Sequence, residues 1–154
     1  NGIAASHLYQ GQPRGISGDN NRARLIQNVS AVTAACLVVR KSIWDEVGGM
    51  EEKNLTVAFN DVDFCLKVQQ KGYRNLWTPF AELYHHESVS RGQDDTPEKH
   101  SRYLREIAYL QSCWGSLLRN DPAWNGNLSL DCSRPRVANK PRISKPWRHI
   151  ENEH

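Results

Sequence analysis

The sequence predicts an α/β fold, in which strands and helices alternate within one globular domain. A chain of 154 residues with 38% hydrophobic residues, including five Trp, five Tyr and three Phe, is long and apolar enough to bury one core. Apolar residues follow a strand-like pattern in residues 29–40 and a helical pattern in residues 59–73 and 96–120. The predicted order of strand, helix, helix, strand, strand and helix is typical of a layered α/β architecture.

The first predicted elements are a strand and a short helix. Residues 1–27 are rich in Gly, Asn, Gln and Arg, and we expect them to be mainly loop. The run VSAVTAACLVVR, at 29–40, is dense in apolar and β-branched residues and is typical of a strand covered on both faces. In the following KSIWDEVGG, Ser42 and Asp45 form the S-x-x-D capping pattern of a short helix, which the two glycines end.

The stretch FNDVDFCLKVQQKGY, residues 59–73, predicts a second amphipathic helix. Asn60 is a suitable N-cap, Asp61 and Asp63 lie in the first turn, and Gly72 stands where a left-handed C-terminal residue belongs. An acidic residue in the first turn interacts favourably with the helix dipole, by about 0.3 to 1 kcal/mol. The two carboxylates can therefore be purely structural, or one of them can take part in chemistry.

Two strand-like segments and the longest helix complete the pattern. YRNLWTP and AELYHHES are predicted to be strands, and His85 and His86 lie at the end of the second. TPEKHSRYLREIAYLQSCWGSLLRN predicts a long helix with Thr96 as N-cap and Pro97 at the first helical position. Its apolar face comprises Tyr103, Leu104, Ile107, Leu110, Trp114, Leu117 and Leu118.

Composition excludes several classes of protein. The longest apolar runs, such as AACLVV at 34–39, are too short to span a bilayer, and the N-terminus has no basic region followed by an apolar stretch. We therefore expect a soluble, cytoplasmic protein. The four cysteines lie far apart without a C-x-x-C pair, which argues against a zinc site and favours buried free thiols.

The C-terminal segment differs in charge from the rest of the chain. Residues 133–154 carry six Arg and Lys against two Glu, and contain three prolines that prevent a long helix. We therefore divide the chain into a domain at 1–132 and a basic, extended tail at 133–154. The tail could make at most peripheral contact with an acidic membrane surface. The body of the chain is close to neutral, so we expect no binding of nucleic acid.

Three ordered motifs resemble a known family: TAACLVVRKSIWDEVGGM, then FNDVDFCLKVQQKGY, then WTPFAELYHHES. Together they are similar to the C-terminal half of a family 2 glycosyltransferase with the GT-A fold, and to bacterial rhamnosyl-type members that build surface polysaccharide. The resemblance covers residues 29–92 closely. It implies a partial GT-A fold, with a mixed sheet and packed helices. It also implies that the nucleotide-binding strands and the D-x-D metal motif of that family lie outside this chain.

The resemblance gives Asp61 a catalytic role. It corresponds to the general base that removes the proton from an acceptor hydroxyl as the hydroxyl attacks the anomeric carbon. Such a positioned carboxylate typically contributes about 10² to 10⁴-fold to the rate. Asn60 stands where many relatives have Glu. For Asp63 three roles remain open: it caps the helix, it orients the surroundings of Asp61, or it contacts the acceptor as a substrate-binding residue. Asp61 and Asp63 themselves form a D-x-D, but this one opens a helix, so we keep Asp61 as the base.

The resemblance also implies a divalent metal ion, Mn²⁺ or Mg²⁺. His85 matches the family's metal ligand, and the carboxylate ligands would come from the half outside this chain. His86 is expected to bind substrate, and the guanidinium of Arg91 is suited to phosphate oxygens. In the alternative interpretation, the two histidines are ordinary polar residues at a strand end and Arg91 is a solvent-exposed side chain.

The function implied is transfer of a sugar from a nucleotide-sugar donor to a glycan or lipid-linked acceptor, with inversion by direct displacement. Two alternatives remain open: a non-catalytic module that binds the acceptor glycan, and a metal-dependent hydrolase. Because the donor-binding strands are expected outside the chain, we expect it to have little activity alone. We also expect self-association through the apolar run at 29–40.

Overall fold

The computed structural model describes residues 4–85, 96–130 and 134–143, and these form a mixed α/β arrangement. Its regular elements are β1 (Gln27–Val29), α1 (Lys41–Val47), α2 (Asn60–Gln70), β2 (Asn75–Trp77) and α3 (Pro97–Arg119). Two short 3₁₀ segments, Asp19–Arg24 and Ala34–Cys36, flank β1. The α/β class is therefore confirmed, although the strands are few and short.

A small antiparallel sheet joins β1 to β2. Asn28 lies opposite Leu76, and Val29 lies opposite Asn75. The Asn75 side-chain amide donates hydrogen bonds to the backbone oxygens of Ser30, at 3.0 Å, and of Cys65 in α2, at 2.8 Å. A two-stranded ribbon is at best marginally stable alone. This amide therefore ties the sheet to the helix that supports it.

The strand predicted at 29–40 is wrong for most of its length. Strand β1 ends at Val29, and Thr33 begins a 3₁₀ turn by accepting a hydrogen bond from the Ala35 N–H. The Val38 side chain is 96% exposed. A β-branched run forms a strand only where a neighbour supplies ladder hydrogen bonds and covering surface. Within the described part of the chain, no strand pairs with residues 30–40.

The second strand-like segment also differs from its prediction. YRNLWTP contains β2 and is confirmed, whereas residues 81–85 of AELYHHES are irregular and exposed. Glu82 accepts a hydrogen bond from Nε of Arg14, at 2.9 Å, and Tyr84 accepts one from Nη1 of Arg14, at 3.3 Å. These side chains attach the segment to the N-terminal loop rather than to a sheet.

Helix α1 is confirmed, but its predicted cap is not. The helix begins at Lys41, after Arg40, and no side chain caps it. Asp45 forms an ion pair with Lys41 one turn away instead of belonging to a capping box. Gly48, with φ 79°, ends the helix in the left-handed conformation as predicted.

Helix α3 agrees with its prediction at both ends. The Thr96 hydroxyl oxygen accepts a hydrogen bond from the Lys99 N–H, at 3.3 Å, and Pro97 opens the helix. Its buried face carries Ile107, Leu110 and Trp114, together with one acidic residue described below. Leu104, predicted on this face, is half exposed.

The core lies between α3, α2 and the loop that precedes α2. Its central cluster is Leu55, Leu66, Leu110 and Trp114, and the other buried apolar residues are Phe64, Cys65, Val68 and Ile107. Full burial of a Leu or Phe side chain stabilises a fold by about 1.5 to 3 kcal/mol. The core therefore fixes α2 firmly against α3.

The cysteines are divided between core and surface. Cys65 is buried, whereas Cys36 and Cys113 are exposed, so the prediction of buried thiols is wrong for these two; Cys132 lies outside the described residues. Burial raises the pKa of the Cys65 thiol, the hydrogen bond from the Val32 N–H opposes this, and the negative charge of Asp61 adds to it.

No helix in the described ranges is long and apolar enough to cross a bilayer.

Residues 134–143, within the basic segment, fold back on the residues after α3. Val137 forms a bridge with Leu128, and the Arg142 guanidinium donates hydrogen bonds to three backbone oxygens, those of Arg119, Asn125 and Leu128.

Candidate functional site

The first turn of α2 carries both predicted carboxylates. Asn60 is the first helical residue rather than the N-cap, a position taken by Phe59 with φ 65°. The Phe59 side chain makes no capping hydrogen bond, and the predicted Asn60 cap is wrong. The helix instead begins from a left-handed backbone turn, which the sequence alone did not indicate because Phe rarely adopts it.

Asp61 is half-buried and both carboxylate oxygens have backbone partners. Oδ2 accepts a hydrogen bond from the Ala34 N–H at 3.0 Å, which ties the start of α2 to the 3₁₀ turn after β1. Oδ1 accepts one from the Val62 N–H at 2.8 Å, within its own helical turn. Two ionised oxygens offer about four acceptor positions, so each can still accept a second donor. The carboxylate is oriented from two sides without being closed off from solvent.

Asp63 faces the opposite way, into the core. It is 2% exposed, and its Oδ1 accepts a hydrogen bond from the Trp114 indole N–H at 2.8 Å. The Lys67 ammonium lies 2.7 Å from Oδ2, although this oxygen has no hydrogen bond of favourable geometry. Asp63 therefore bridges α2 to α3 and does not cap its helix. Its predicted contact with the acceptor stays a prediction.

Sequence reasoning missed the interactions of Glu106 in α3. Its carboxylate is 2% exposed and accepts three hydrogen bonds from the loop before α2. The donors are the Thr56 hydroxyl, at 2.9 Å, and the Val57 and Ala58 N–H groups, both at 3.0 Å. The available signal was an acidic residue one helical turn from Leu110 on the apolar face of α3.

Of the three predicted residues that follow β2, the structure describes one. His85 is exposed in an irregular segment. His86 and Arg91 lie outside the described residues, and their roles in binding substrate stay predictions. The part of the chain that is described contains no group of three or more His, Cys, Asp or Glu able to hold a metal ion. A Mg²⁺ site requires near-octahedral oxygen ligands, which these residues do not supply. The metal-ligand role of His85 stays a prediction.

A shallow cavity of about 420 Å³ opens beside the C-terminal end of α1. It is lined by Trp44, the loop 48–53 and Lys67. In this loop the Glu51 carboxylate accepts hydrogen bonds from the Asn54 and Lys53 N–H groups, and these lower the pKa of Glu51. The cavity wall is thus polar and held by its own backbone.

The chain is similar to segments of four known proteins, two of which are the same enzyme from two strains of Mycobacterium tuberculosis. The chain is 53% identical over 130 residues to uncharacterized protein y4gI of Sinorhizobium fredii, covering 84% of this chain and 14% of that protein. It is 32% identical over 136 residues to the O-antigen biosynthesis protein RfbC of Myxococcus xanthus, covering 86% of this chain and 10% of that protein. It is 33% identical over 82 residues to an N-acetylglucosaminyl-diphospho-decaprenol L-rhamnosyltransferase of Mycobacterium tuberculosis, covering 53% of this chain and 26% of that enzyme.

The chain thus spans between about a tenth and a quarter of the length of these relatives. No protein-family model matches it, and no solved structure matches it. Two of the relatives carry names from glycan synthesis, and these suggest a glycosyltransferase-like family.

Proposed function

We propose that this chain is part of a glycosyltransferase that moves a sugar from a nucleotide-sugar donor to a glycan or lipid-linked acceptor. The observation that carries the proposal is the similarity to the rhamnosyltransferase and to the O-antigen biosynthesis protein, since both names refer to glycan assembly. Membership of family 2 and the GT-A fold belong to the proposal. The ordered motifs quoted above support them.

Asp61 is the proposed general base. In the reaction, the acceptor oxygen forms a bond to the anomeric carbon as the bond to the nucleotide diphosphate breaks, so the configuration inverts. The acceptor proton passes to the Asp61 carboxylate. The backbone N–H groups of Ala34 and Val62 hold this carboxylate in place and leave each oxygen able to accept one more hydrogen bond.

Donor binding and the metal ion complete the proposal. Because the chain spans only a fraction of its relatives, the groups that bind the nucleotide are proposed to lie in other parts of the full protein. His85 is proposed to contribute one ligand to Mn²⁺ or Mg²⁺, which would neutralise the departing diphosphate.

The test is substitution of Asp61 by Asn in the full protein that contains the chain. Transfer is measured with a panel of UDP-, GDP- and dTDP-sugars and a lipid-linked acceptor. We expect kcat to fall about 10²-fold or more, because the amide keeps the size of the carboxylate but cannot take the proton. The amide keeps an acceptor oxygen for only one of the Ala34 and Val62 N–H groups, so the melting temperature should fall slightly, and the loss of kcat should be much larger than this loss of stability explains.

Asp45→Asn is the matched control, since Asp45 is an exposed carboxylate on the neighbouring helix α1. It should turn over normally. Normal turnover by Asp61→Asn as well would overturn the role of Asp61 as base.

A non-catalytic acceptor-binding module is the second candidate, favoured by the small share of the relatives that the chain spans. Glycan binding by the full protein, with no transfer from any donor in the panel, would support this candidate over the first. No ligand cluster among the described residues supports the hydrolase alternative.

A further inference from the structure

The loop before α2 is attached to α3 by a buried carboxylate. Glu106 lies on the inward face of α3, and burial of a charged group is costly unless it is paired or hydrogen-bonded. Here two successive backbone N–H groups and one hydroxyl, from residues 56–58, donate to its two oxygens. Hydrogen bonds to an ionised acceptor are about twice as strong as neutral ones. Glu106 therefore fixes the position of this loop.

The next residue of the chain adopts a strained conformation. Phe59 has φ 65°, in the left-handed region, which costs about 1 to 3 kcal/mol for a bulky residue and persists only where the surroundings enforce it. Its ring packs against Tyr103 of α3, with 5.6 Å between ring centroids. Tyr103 lies about one helical turn before Glu106. The same face of α3 thus holds residues 56–58 through hydrogen bonds and Phe59 through its ring.

This strained turn sets the direction of α2. The Phe59 carbonyl oxygen accepts the hydrogen bond from the Asp63 N–H, at 2.9 Å, which closes the first helical turn. Asp61 lies within that turn, and its carboxylate reaches the Ala34 N–H across to another segment. If Phe59 returned to an ordinary backbone conformation, the first turn of α2 would point elsewhere and this contact would be lost.

We propose that Glu106 is a positioning residue for the reaction, acting through the turn at 56–59 to place the carboxylate of Asp61. This inference rests on the proposed function, in which Asp61 is the base. It adds that the base is oriented by α3, a helix about fifty residues later in the chain than the loop it holds. A misplacement of about 1 Å in a catalytic group can lower the rate about 10²-fold, so a positioning role of this kind is measurable.

The principal variant is Glu106→Gln in the full protein. Glutamine keeps the size of the side chain and one acceptor oxygen, but its amide group turns a donor toward the loop donors. We expect kcat to fall about 10-fold or more, while KM for the nucleotide-sugar changes less than about twofold, since the groups proposed to bind the nucleotide lie outside this chain. Ile107→Val is the matched control, because it removes one buried methyl group from the adjacent position of α3 and leaves the loop bonds intact.

Hydrogen exchange of the Ala34 amide gives a measurement independent of activity. This amide donates to Asp61, so its protection reports whether the Asp61 carboxylate is in place. In Glu106→Gln the peptide containing Ala34 should exchange faster than in the unsubstituted protein. In Ile107→Val its exchange should be unchanged. Equal exchange at Ala34 in all three proteins would overturn the positioning role.

A second substitution tests whether backbone strain is the link. Asn adopts the left-handed conformation more readily than Phe does. In the Phe59→Asn variant, the turn at 56–59 should therefore depend less on the hydrogen bonds of Glu106. Phe59→Asn also removes the ring contact with Tyr103, so this variant serves as its own reference. We expect Glu106→Gln to lower kcat by a smaller factor when added to Phe59→Asn than when added to the unsubstituted protein. An equal loss in both backgrounds would contradict a role through the turn.

The two proposals fail differently. Normal turnover by Asp61→Asn would remove the catalytic role of Asp61, while the exchange of Ala34 would still report the link from Glu106 to Asp61. If Asp61→Asn is inactive but Glu106→Gln matches Ile107→Val in kcat and in exchange, the proposed function stands and the positioning role is wrong.

Discussion

Two segments of similar apolar character have opposite environments in this molecule. Residues 55–68 supply Leu55 and Leu66 to the cluster with Leu110 and Trp114 of α3, and the buried Phe64 packs against Trp44 of α1. The run at 29–40 is at least as rich in β-branched residues, yet its Val38 is almost fully exposed. Apolar content therefore does not decide burial in this chain. A segment is buried where another part of the chain brings a matching surface.

Polar contacts follow the same division. Helices α2 and α3 each have one buried carboxylate that accepts hydrogen bonds from another segment. Asp63 of α2 accepts from Trp114 of α3, and Glu106 of α3 accepts from the loop before α2. Buried carboxylates with several donors hold specific geometry as well as adding stability. The run at 29–40 is anchored mainly by its backbone. The Val32 N–H donates to the Cys65 sulfur, and the Ala34 N–H donates to the Asp61 carboxylate.

The largest expected effect comes from a substitution in the core that covers residues 55–68. Leu110→Ala should lower the free energy of unfolding by about 2 to 5 kcal/mol, because it leaves a cavity at a fully buried position between α3 and Leu55. Val38→Ala removes apolar atoms that already contact water, so it should change stability little. Urea denaturation of both variants measures the difference. Equal losses would show that the run at 29–40 is buried in solution.

Local signals predicted the helices well. Thr96 and Pro97 begin α3, and Gly48 ends α1, because caps and glycine act on the residues directly beside them. The left-handed Phe59 and the bonds of Glu106 could not be predicted in this way. They depend on α3 packing against a loop about fifty residues earlier in the chain, and no local pattern encodes that contact.

The same limit explains the failure at residues 29–40 and the contacts of the two carboxylates in α2 that the sequence did not predict. A β-branched run indicates a preference for strand, but pairing requires a partner that the described residues do not provide. The motif predicts Asp61 as the base, and this role stays a prediction, whereas its contact with Ala34 depends on tertiary structure. Asp63 lies in the same motif, but it is buried between Lys67 of its own helix and the distant Trp114 of α3.

A smaller effect, on self-association, is expected from substitution of an exposed apolar side chain in the run at 29–40. The 154-residue chain should self-associate at high concentration, because exposed apolar side chains include Val38, Phe80, Leu83 and Tyr84. Val38→Lys should shift the population toward monomer in sedimentation velocity. Ser42→Lys adds the same charge at an exposed position in α1 and should leave association unchanged. A monomer at every concentration of the unsubstituted chain would contradict this prediction.

The smallest expected effect concerns Cys65, where the two segments meet. Burial raises the pKa of this thiol above its value in the unfolded chain, which is about 8.5. The folded state therefore holds the proton longer than the unfolded state does as pH rises. The stability contributed by the neutral thiol is complete below about pH 8.5 and is lost as pH rises through the folded-state pKa.

Cys65→Ser removes this titration, so the free energy of unfolding should fall less steeply above about pH 8.5 than in the unsubstituted chain. Urea denaturation across the alkaline range measures both slopes. Cys36→Ser, at an exposed thiol on the 3₁₀ turn of the run at 29–40, is the control and should keep the original slope. If Cys65→Ser also keeps that slope, the thiol is accessible to water in solution. The contact between the Val32 backbone and α2 would then be looser than the structure shows.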